Sequence, residues 1–230
     1  MRKCIVNTDD ADVVKTLREL GLECIPVLKS DRVSVPICRH SDVLYQKVNS
    51  STMIISSCQK QNLPAIKAAG YDVCIFDGLA EGYKTECALN FIINDSAVIH
   101  NPRTSTDVDE ICQLKNLKRI KVRQGYTKCS TLCLSDTAYI TDDDGIYRAI
   151  KQNEFECLKI SKGMVILEGY NYGFIGGASV NLLDGRVLFF GDIPDKAEKE
   201  RVCSFLFGHN IQPLFIPGKQ LTDLGSALIL

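Results

Sequence analysis

Short apolar runs that break at polar turns alternate along this chain with amphipathic segments of roughly three turns, and the alternation recurs. Five copies of the order apolar run, polar turn, amphipathic segment, second apolar run can be laid side by side, at residues 3–27, 52–76, 96–122, 137–160 and 185–216. A run of this kind followed by helical spacing predicts strand, helix, strand. The period is about 45 residues, and repeats of that size imply stacked or ring-like architectures, because one such unit cannot bury its own apolar face.

Between the copies lies a second recurring element, rich in small and polar residues, that leads into a further strand and a turn: HSDVLYQKVNSS, TECALNFIINDS, KCSTLCLSDT and GGASVNLLDG. A fifth, LGSALIL, ends the sequence. Four linkers and an orphan tail predict a closed ring, in which the last strand joins the first repeat and removes the open edge of a linear array. The expectation is an α/β fold: a five-bladed α/β propeller of ββαβ units with pseudo-fivefold symmetry. Its repeats span 3–27, 40–76, 86–122, 128–160 and 177–216, a closing strand spans 224–230, and residues 1–230 form a single domain.

The helices carry their own punctuation. Residues 9–20 open on acids, place Val13, Val14, Leu17 and Leu20 at helical spacing and stop at Gly21. Asp142, Asp143 and Asp144 precede GIYRAIKQ, and consecutive carboxylates there read as a solvent-facing helix cap rather than a metal site. In the fifth repeat, residues 195–206 set Lys196 and Glu200 against Val202, Phe205 and Leu206.

Composition narrows the classes. The 230 residues are 45% hydrophobic with a formal net charge of −1, so no basic footprint points to nucleic acid. No apolar run reaches the ~18 residues of a membrane span, and MRKCIVNTDD lacks a signal-peptide core. Eleven cysteines sit largely in apolar runs, as small hydrophobes in a reducing compartment do, and an odd count cannot pair completely. A cytoplasmic protein is expected. Cys129 and Cys133 read as one face of a strand without two further ligands, so neither a metal nor another cofactor is expected.

The repeats, the closing tail and the motifs QGYTKCS (124–130), GYNYGFIGGAS (169–179) and LTDLGS (221–226) resemble the penteins, the guanidino-group-modifying (amidinotransferase-like) enzymes, and more narrowly an uncharacterised branch of them. The resemblance covers essentially the whole chain as architecture. It implies a central channel lined by the linkers, a Cys nucleophile, a His acid/base, and carboxylates that clamp a guanidinium or amidinium group. Direct transfer of that pair fails, because LGSALIL places Ser226 and no Cys on the closing strand, and GFIGGAS holds no His.

Turned around the ring, the constellation finds candidates: Cys129 as nucleophile, His40 as acid/base, and Asp42, Glu86 and Asp223 as cation clamps. Alternation along a strand would aim His40 and Asp42 to one side. Amidine carbon is a poor electrophile, so the chemistry needs a thiolate, carboxylates that orient the cation and an imidazole that moves protons. Lys128 adjoins Cys129 and favours the thiolate if its ammonium shares the same space. The plainer alternatives are a polar strand-entry residue for His40 and one more small core residue for Cys129. Gly176 and Gly177, ahead of Ser179, either cradle an anion or let a strand pack closely. Tyr170 and Tyr172 either close the channel mouth or cover apolar surface. His100 and His209 read as surface or capping residues. Two functions follow: a cysteine-dependent hydrolase or amidinotransferase acting on a small guanidino or amidino compound, or a non-catalytic module of the same fold that binds a small ligand, a ribosome or another protein.

Overall fold

A computed structural model describes residues 2–105 and 117–230. The helical segment expected in the third repeat falls at 106–116, outside the described residues.

Five three-stranded sheets carry one topology. In the first, β1 (Arg2–Val6) pairs parallel with β2 (Leu22–Pro26) across α1 (Ala11–Glu19), and β15 (Ala227–Ile229) adds antiparallel to β1. The second sheet has β3 (Tyr45–Lys47) antiparallel to β4 (Thr52–Ser56), which is parallel to β5 (Asp72–Phe76). The remaining three repeat this order. They are β6 (Ile92–Ile93), β7 (Ala97–His100) and β8 (Lys118–Lys121); β9 (Thr131–Cys133), β10 (Ala138–Thr141) and β11 (Glu156–Lys159); and β12 (Ser179–Asn181), β13 (Arg186–Phe189) and β14 (Gln212–Phe215). Each linker read from the sequence thus delivers the antiparallel strand, and the C-terminal tail completes the first sheet.

The parallel pairs require a crossover, and three of the described crossover helices begin in the same way. Asp10, Asp143 and Asp195 accept the backbone N–H three residues on at 3.0, 2.8 and 2.7 Å, capping α1, α5 (Asp144–Gln152) and α6 (Lys196–Gly208). The second repeat instead uses a 3₁₀ stretch at Ser57–Asn62 and α3 (Leu63–Ala68), with Pro64 in its first turn. Val13, Val14 and Leu17 of α1 are buried, as are Val202 and Leu206 of α6. Apolar strand residues meet these faces: Phe189, fully buried, packs with Ile140, Val202 and Leu206 and stacks on Phe215 at 4.9 Å between centroids.

Four local expectations change. Asp142 is buried rather than solvated, because β10 ends one residue earlier and turns it inward, while Asp143 caps and Asp144 pairs with Lys159 and Lys162. His100 is no surface residue: it ends β7, buried, with its Nδ1 2.7 Å from Ser105 Oγ. Cys129 lies not in a strand but in the turn before β9, fixed by Ser130 N–H to Tyr126 O and Thr131 N–H to Lys128 O. His40 likewise is not a strand residue but precedes α2 (Ser41–Leu44), whose first turn contains Asp42. His209 caps the end of α6, with its ring 4.7 Å from that of Phe205. Among the described residues no helix is long and apolar enough to cross a membrane.

Truncating the stacked ring should be costly. Phe189→Ala is expected to destabilise by about 3–5 kcal/mol, read from the denaturation midpoint; a loss under ~1 kcal/mol would show that this cluster is not part of the cooperative core. Burial also pushes the Asp142 carboxyl up to about 7. Its folded-state pKa thus exceeds its unfolded value, so the native protein binds the proton more tightly and loses stability as pH rises through that window. Asp142→Asn should therefore raise the melting temperature at pH 8 and have little effect at pH 4. Equal effects at both would refute the assignment.

Candidate active site

The five linkers meet, and hydrogen bonds join them in sequence around a circuit. Asp42 N–H donates to Gly225 O at 3.0 Å, and Asp42 O accepts from Asn90 Nδ2 at 3.0 Å. Asn90 Oδ1 in turn accepts the N–H groups of Lys128 and Cys129 at 2.8 and 3.1 Å. Cys129 O accepts from Gly177 N–H at 3.0 Å, and Gly177 O accepts from Ser226 N–H at 2.7 Å, which returns to the closing linker.

Within this circuit sit His40, Asp42, Cys129 and Asp223, each no more than 4% exposed. His40 Nδ1 lies 3.7 Å from Asp223 Oδ1 and 3.9 Å from Asp42 Oδ1, beyond hydrogen-bond reach of either. Asp223 is held by two backbone donors, Gly225 N–H on Oδ1 at 3.0 Å and Phe174 N–H on Oδ2 at 2.9 Å. Asp42 has no such support: no N–H or O–H donor reaches either of its buried carboxylate oxygens, which face the Cys129 thiol, and the buried His40 Nδ1 is likewise without a hydrogen-bond partner. Unsatisfied polar atoms at this depth cost on the order of 1–3 kcal/mol each.

Electrostatics follow from that crowding. Burial raises the Cys129 thiol well above its usual range; the Asp42 and Asp223 carboxylates add to this, and Asn90 Nδ2, 2.8 Å from Sγ, opposes it. Burial also raises Asp223 to about 6, with His40 pulling down and Asp42 pushing up. Lys128 is lowered to about 8 by burial, against the pull of Asp42. Its ammonium turns away to Tyr45 O and Gln46 Oε1 at 2.7 and 2.9 Å.

Two cavities border the cluster. His40, Cys129 and Asp223 line one of about 290 Å³, whose other walls are largely aromatic: Tyr83, Tyr126, Tyr170, Tyr172 and Phe174. Tyr172 meets Phe174 edge-on at 6.0 Å and Tyr126 lies 6.3 Å from Phe174, while Tyr170 and Tyr172 remain substantially exposed at the rim. Asp42, Lys128, Gly176, Ser179 and Ser226 line a second cavity of about 240 Å³. Asp42 and His40 thus border different cavities, because a helical turn and not a strand separates them.

Glu86, the last residue of α4 (Tyr83–Glu86), stands apart from this set and lines neither of these two cavities. Its Oε2 accepts from Ser34 N–H and Oγ at 3.0 and 2.7 Å, and its Oε1 from the Tyr126 hydroxyl. Burial works against its charge, but these donors outweigh it and hold the carboxyl below the usual range. It therefore anchors an aromatic wall.

The glycines are spacers. A Cβ on Gly177 would overlap the Asp223 carboxylate, one on Gly176 would overlap the carbonyls of Lys128 and Thr131, and one on Gly225 would overlap His40. Ser179 Oγ donates to Ile175 O at 2.6 Å, and Ser226 Oγ donates to Ser179 O at 2.7 Å, so both hydroxyls are committed internally. Asn90 escaped the sequence reading; its signal was a polar residue inside the apolar run ALNFII of a linker. Among the described residues no group of three or more His, Cys, Asp or Glu is placed to hold a metal ion.

The family model described as a family of unknown function (DUF6873) matches residues 5–228. No curated protein matches the chain. Solved structures do. A substrate-bound agmatine deiminase variant from C. jejuni aligns over 96% of this chain and 80% of its own at 11% identity and a TM-score of 0.58. A dimethylarginine dimethylaminohydrolase adduct aligns over 100% and 99% at 9% identity and 0.59. A putative peptidyl-arginine deiminase aligns over 97% and 83% at 11% identity and 0.54. These are penteins, and the fold of this chain is theirs.

Asn90→Ala should sever the circuit and strand two buried N–H groups, costing about 2–4 kcal/mol in chemical denaturation; a loss near zero would show that the linkers do not depend on it. Gly225→Ala, at φ +74° and against His40, should cost more than Gly21→Ala, at φ +84° with open space around it. Equal losses would mean that backbone strain alone matters there.

Proposed function

This chain belongs to the family of unknown function DUF6873, and we propose that it is a cysteine-dependent hydrolase or amidinotransferase acting on a small guanidinium or amidinium compound. In this reading its five units close into a five-bladed ring as one domain. The observation that supports it is that the Asp42 carboxylate and His40 Nδ1 are buried without N–H or O–H partners, next to an aromatic cavity lined by His40, Asp223 and the Cys129 thiol, with Asp42 on the neighbouring cavity. A guanidinium offers five N–H donors and a positive charge to such a site, and aromatic faces favour the same cation.

The proposed chemistry resolves the high thiol pKa. Burial and two carboxylates, with the Lys128 ammonium turned toward Tyr45 O and Gln46 Oε1, keep the proton on Cys129. A guanidinium bound against Asp223 in the aromatic cavity, with Asp42 acting from the neighbouring one, reverses the local field and releases the Cys129 proton to the His40 imidazole. The thiolate forms an S–C bond to the amidine carbon; the C–N bond to the leaving amine breaks, and the imidazolium protonates that amine. Water then adds to the thiouronium carbon, its proton passing to His40, and the C–S bond breaks to return the thiol and release a urea. With an amine in place of water, the same steps transfer the amidino group.

The aromatic cavity contains no Lys or Arg. A substrate carrying a free carboxylate finds no counter-ion in it, so the substrate class proposed is an alkyl- or arylguanidine or amidine with an uncharged tail. Lys128, Gly176 and Ser179 shape the neighbouring cavity instead, and Gly177 sets the position of Asp223. A second reading, a binding protein without chemistry, is favoured by the protonated, Asn90-bound thiol.

Incubation with alkyl- and arylguanidines, assayed for released ammonia and for a thiouronium adduct on Cys129 by mass spectrometry after acid quench, decides between them. Turnover is expected, with losses of at least ~10³-fold in Cys129→Ala and ~10²-fold in His40→Gln. Stoichiometric benzamidine binding with neither product nor adduct would leave the binding protein. Absence of binding, product and adduct would remove both readings.

A further inference from the structure

Away from the aromatic cavity, three elements turn cations onto one concave surface. Arg103 comes from the loop after β7, Lys121 from the last residue of β8, Arg123 from just beyond it, and Arg148 from α5. With Asn101, Gly145 and Gln152 they line a cleft of about 890 Å³, and among the described residues no acidic side chain lines it. None of the four forms an ion pair among the described residues. For a chain of net charge −1, four unneutralised cations on one wall are not a consequence of composition.

The two acids at the start of α5 are committed elsewhere. Asp143 is bound to the N–H of Ile146 as the α5 cap, and Asp144 faces Lys159 and Lys162 at 3.3 and 3.4 Å. The platform under the cations is rigid. Asn101, buried, donates Nδ2 to Arg123 O at 2.7 Å and accepts Arg103 N–H on Oδ1 at 2.9 Å, so one side chain fixes the backbone of two arginines. Ser105 Oγ donates to Asn101 O at 2.9 Å and meets His100 Nδ1 at 2.7 Å. On α5, Gly145, Arg148 and Gln152 fall on one helical stripe, and Gly145 leaves its end of the cleft without a side chain.

Like charges gathered without a counter-ion repel one another, and a bound polyanion removes that cost. Three guanidinium forks favour oxyanions held in bidentate fashion, which is the geometry of phosphate. We propose that this cleft is a second ligand site that binds a small molecule bearing two or more phosphate groups. The concave shape, set by a loop, a strand end and a helix together, favours a compact ligand over an extended nucleic acid, for which a tracking basic groove and stacking aromatics would be expected. Among the residues lining the cleft there is no aromatic side chain. The proposal is independent of the chemistry assigned to Cys129.

The test is isothermal titration of the full chain with inorganic pyrophosphate and tripolyphosphate at low ionic strength, with orthophosphate and a single-stranded oligonucleotide as comparisons. Saturable binding is expected, tighter for tripolyphosphate than for orthophosphate, and weakened at least ~10-fold in the exposed-residue variants Arg123→Gln and Arg148→Gln. Lys67→Gln, on the exposed face of α3, should leave it unchanged. Lack of saturable binding, equal weakening by Lys67→Gln, or oligonucleotide binding stronger than that of tripolyphosphate would each overturn the proposal. Circular dichroism of the variants reports whether any loss comes from unfolding, and the double variant Arg123→Lys/Arg148→Lys, which retains charge without the forks, should bind between wild type and the Gln variants.

Discussion

Five segments far apart in sequence are tied together by a single circuit of hydrogen bonds, and the candidate chemistry depends on it. Four of its five links are backbone to backbone or end on the backbone of a linker whose side chain is left free for other use: Asp42 to Gly225, Gly177 to Cys129, Ser226 to Gly177, and Asn90 to Asp42. The fifth is made by Asn90 Oδ1, which takes two backbone N–H groups at once. Since the same side chain's Nδ2 faces the Cys129 sulfur at 2.8 Å, the group that closes the circuit also touches the proposed nucleophile. Stability and site geometry are therefore coupled through one amide.

Close approach is the second constraint. Side chains as large as His40 and Asp223 fit at the centre only because the linkers facing them give up their own Cβ atoms at Gly225 and Gly177. The glycines of GFIGGAS and LTDLGS thus serve geometry rather than ligand capture, and the committed hydroxyls of Ser179 and Ser226 agree with a packing role in those two linkers. Room made in this way fills with acceptors. Asp42 and His40 Nδ1 keep unmet hydrogen-bond capacity, which is uncommon for buried polar groups.

The sheet order was legible because it rests on hydrophobic periodicity and on the recurrence of one linker type, both of which survive without any knowledge of tertiary contacts. The tail LGSALIL pairing with β1 came from counting linkers, and the cap of α5 came from DDD ahead of an amphipathic run, while the Asp195 cap was not read. What the alternation rule misjudged were short segments too brief to be strands: the turn holding Cys129 and the helical turn holding Asp42. Their side chains were placed by strand logic, so Asp42 and His40 were expected on one side and instead border two cavities. Asn90 was invisible for a different reason. An asparagine inside an apolar run signals a buried hydrogen-bonding role only once the linkers are known to meet, and that is a tertiary fact.

In a molecule of five similar units, each linker brings one contribution to the centre: His40 with Asp42, Asn90, Cys129, the Gly176–Gly177 spacer, and Asp223. No single linker contains a catalytic motif in full. On the proposed reading, a sequence signature tied to one linker fails because the constellation is distributed differently around the centre, Ser226 and GFIGGAS holding neither the Cys nor the His. The physical requirements do not rotate in that way: a cation site needs buried acceptors, a thiol needs a field that favours its ionised form, and a proton must have somewhere to go. Here the field favours the neutral thiol while the acceptors stand unfilled. In the proposed function those two facts belong together, since a bound cation would meet the acceptors and favour the ionised thiol in the same step.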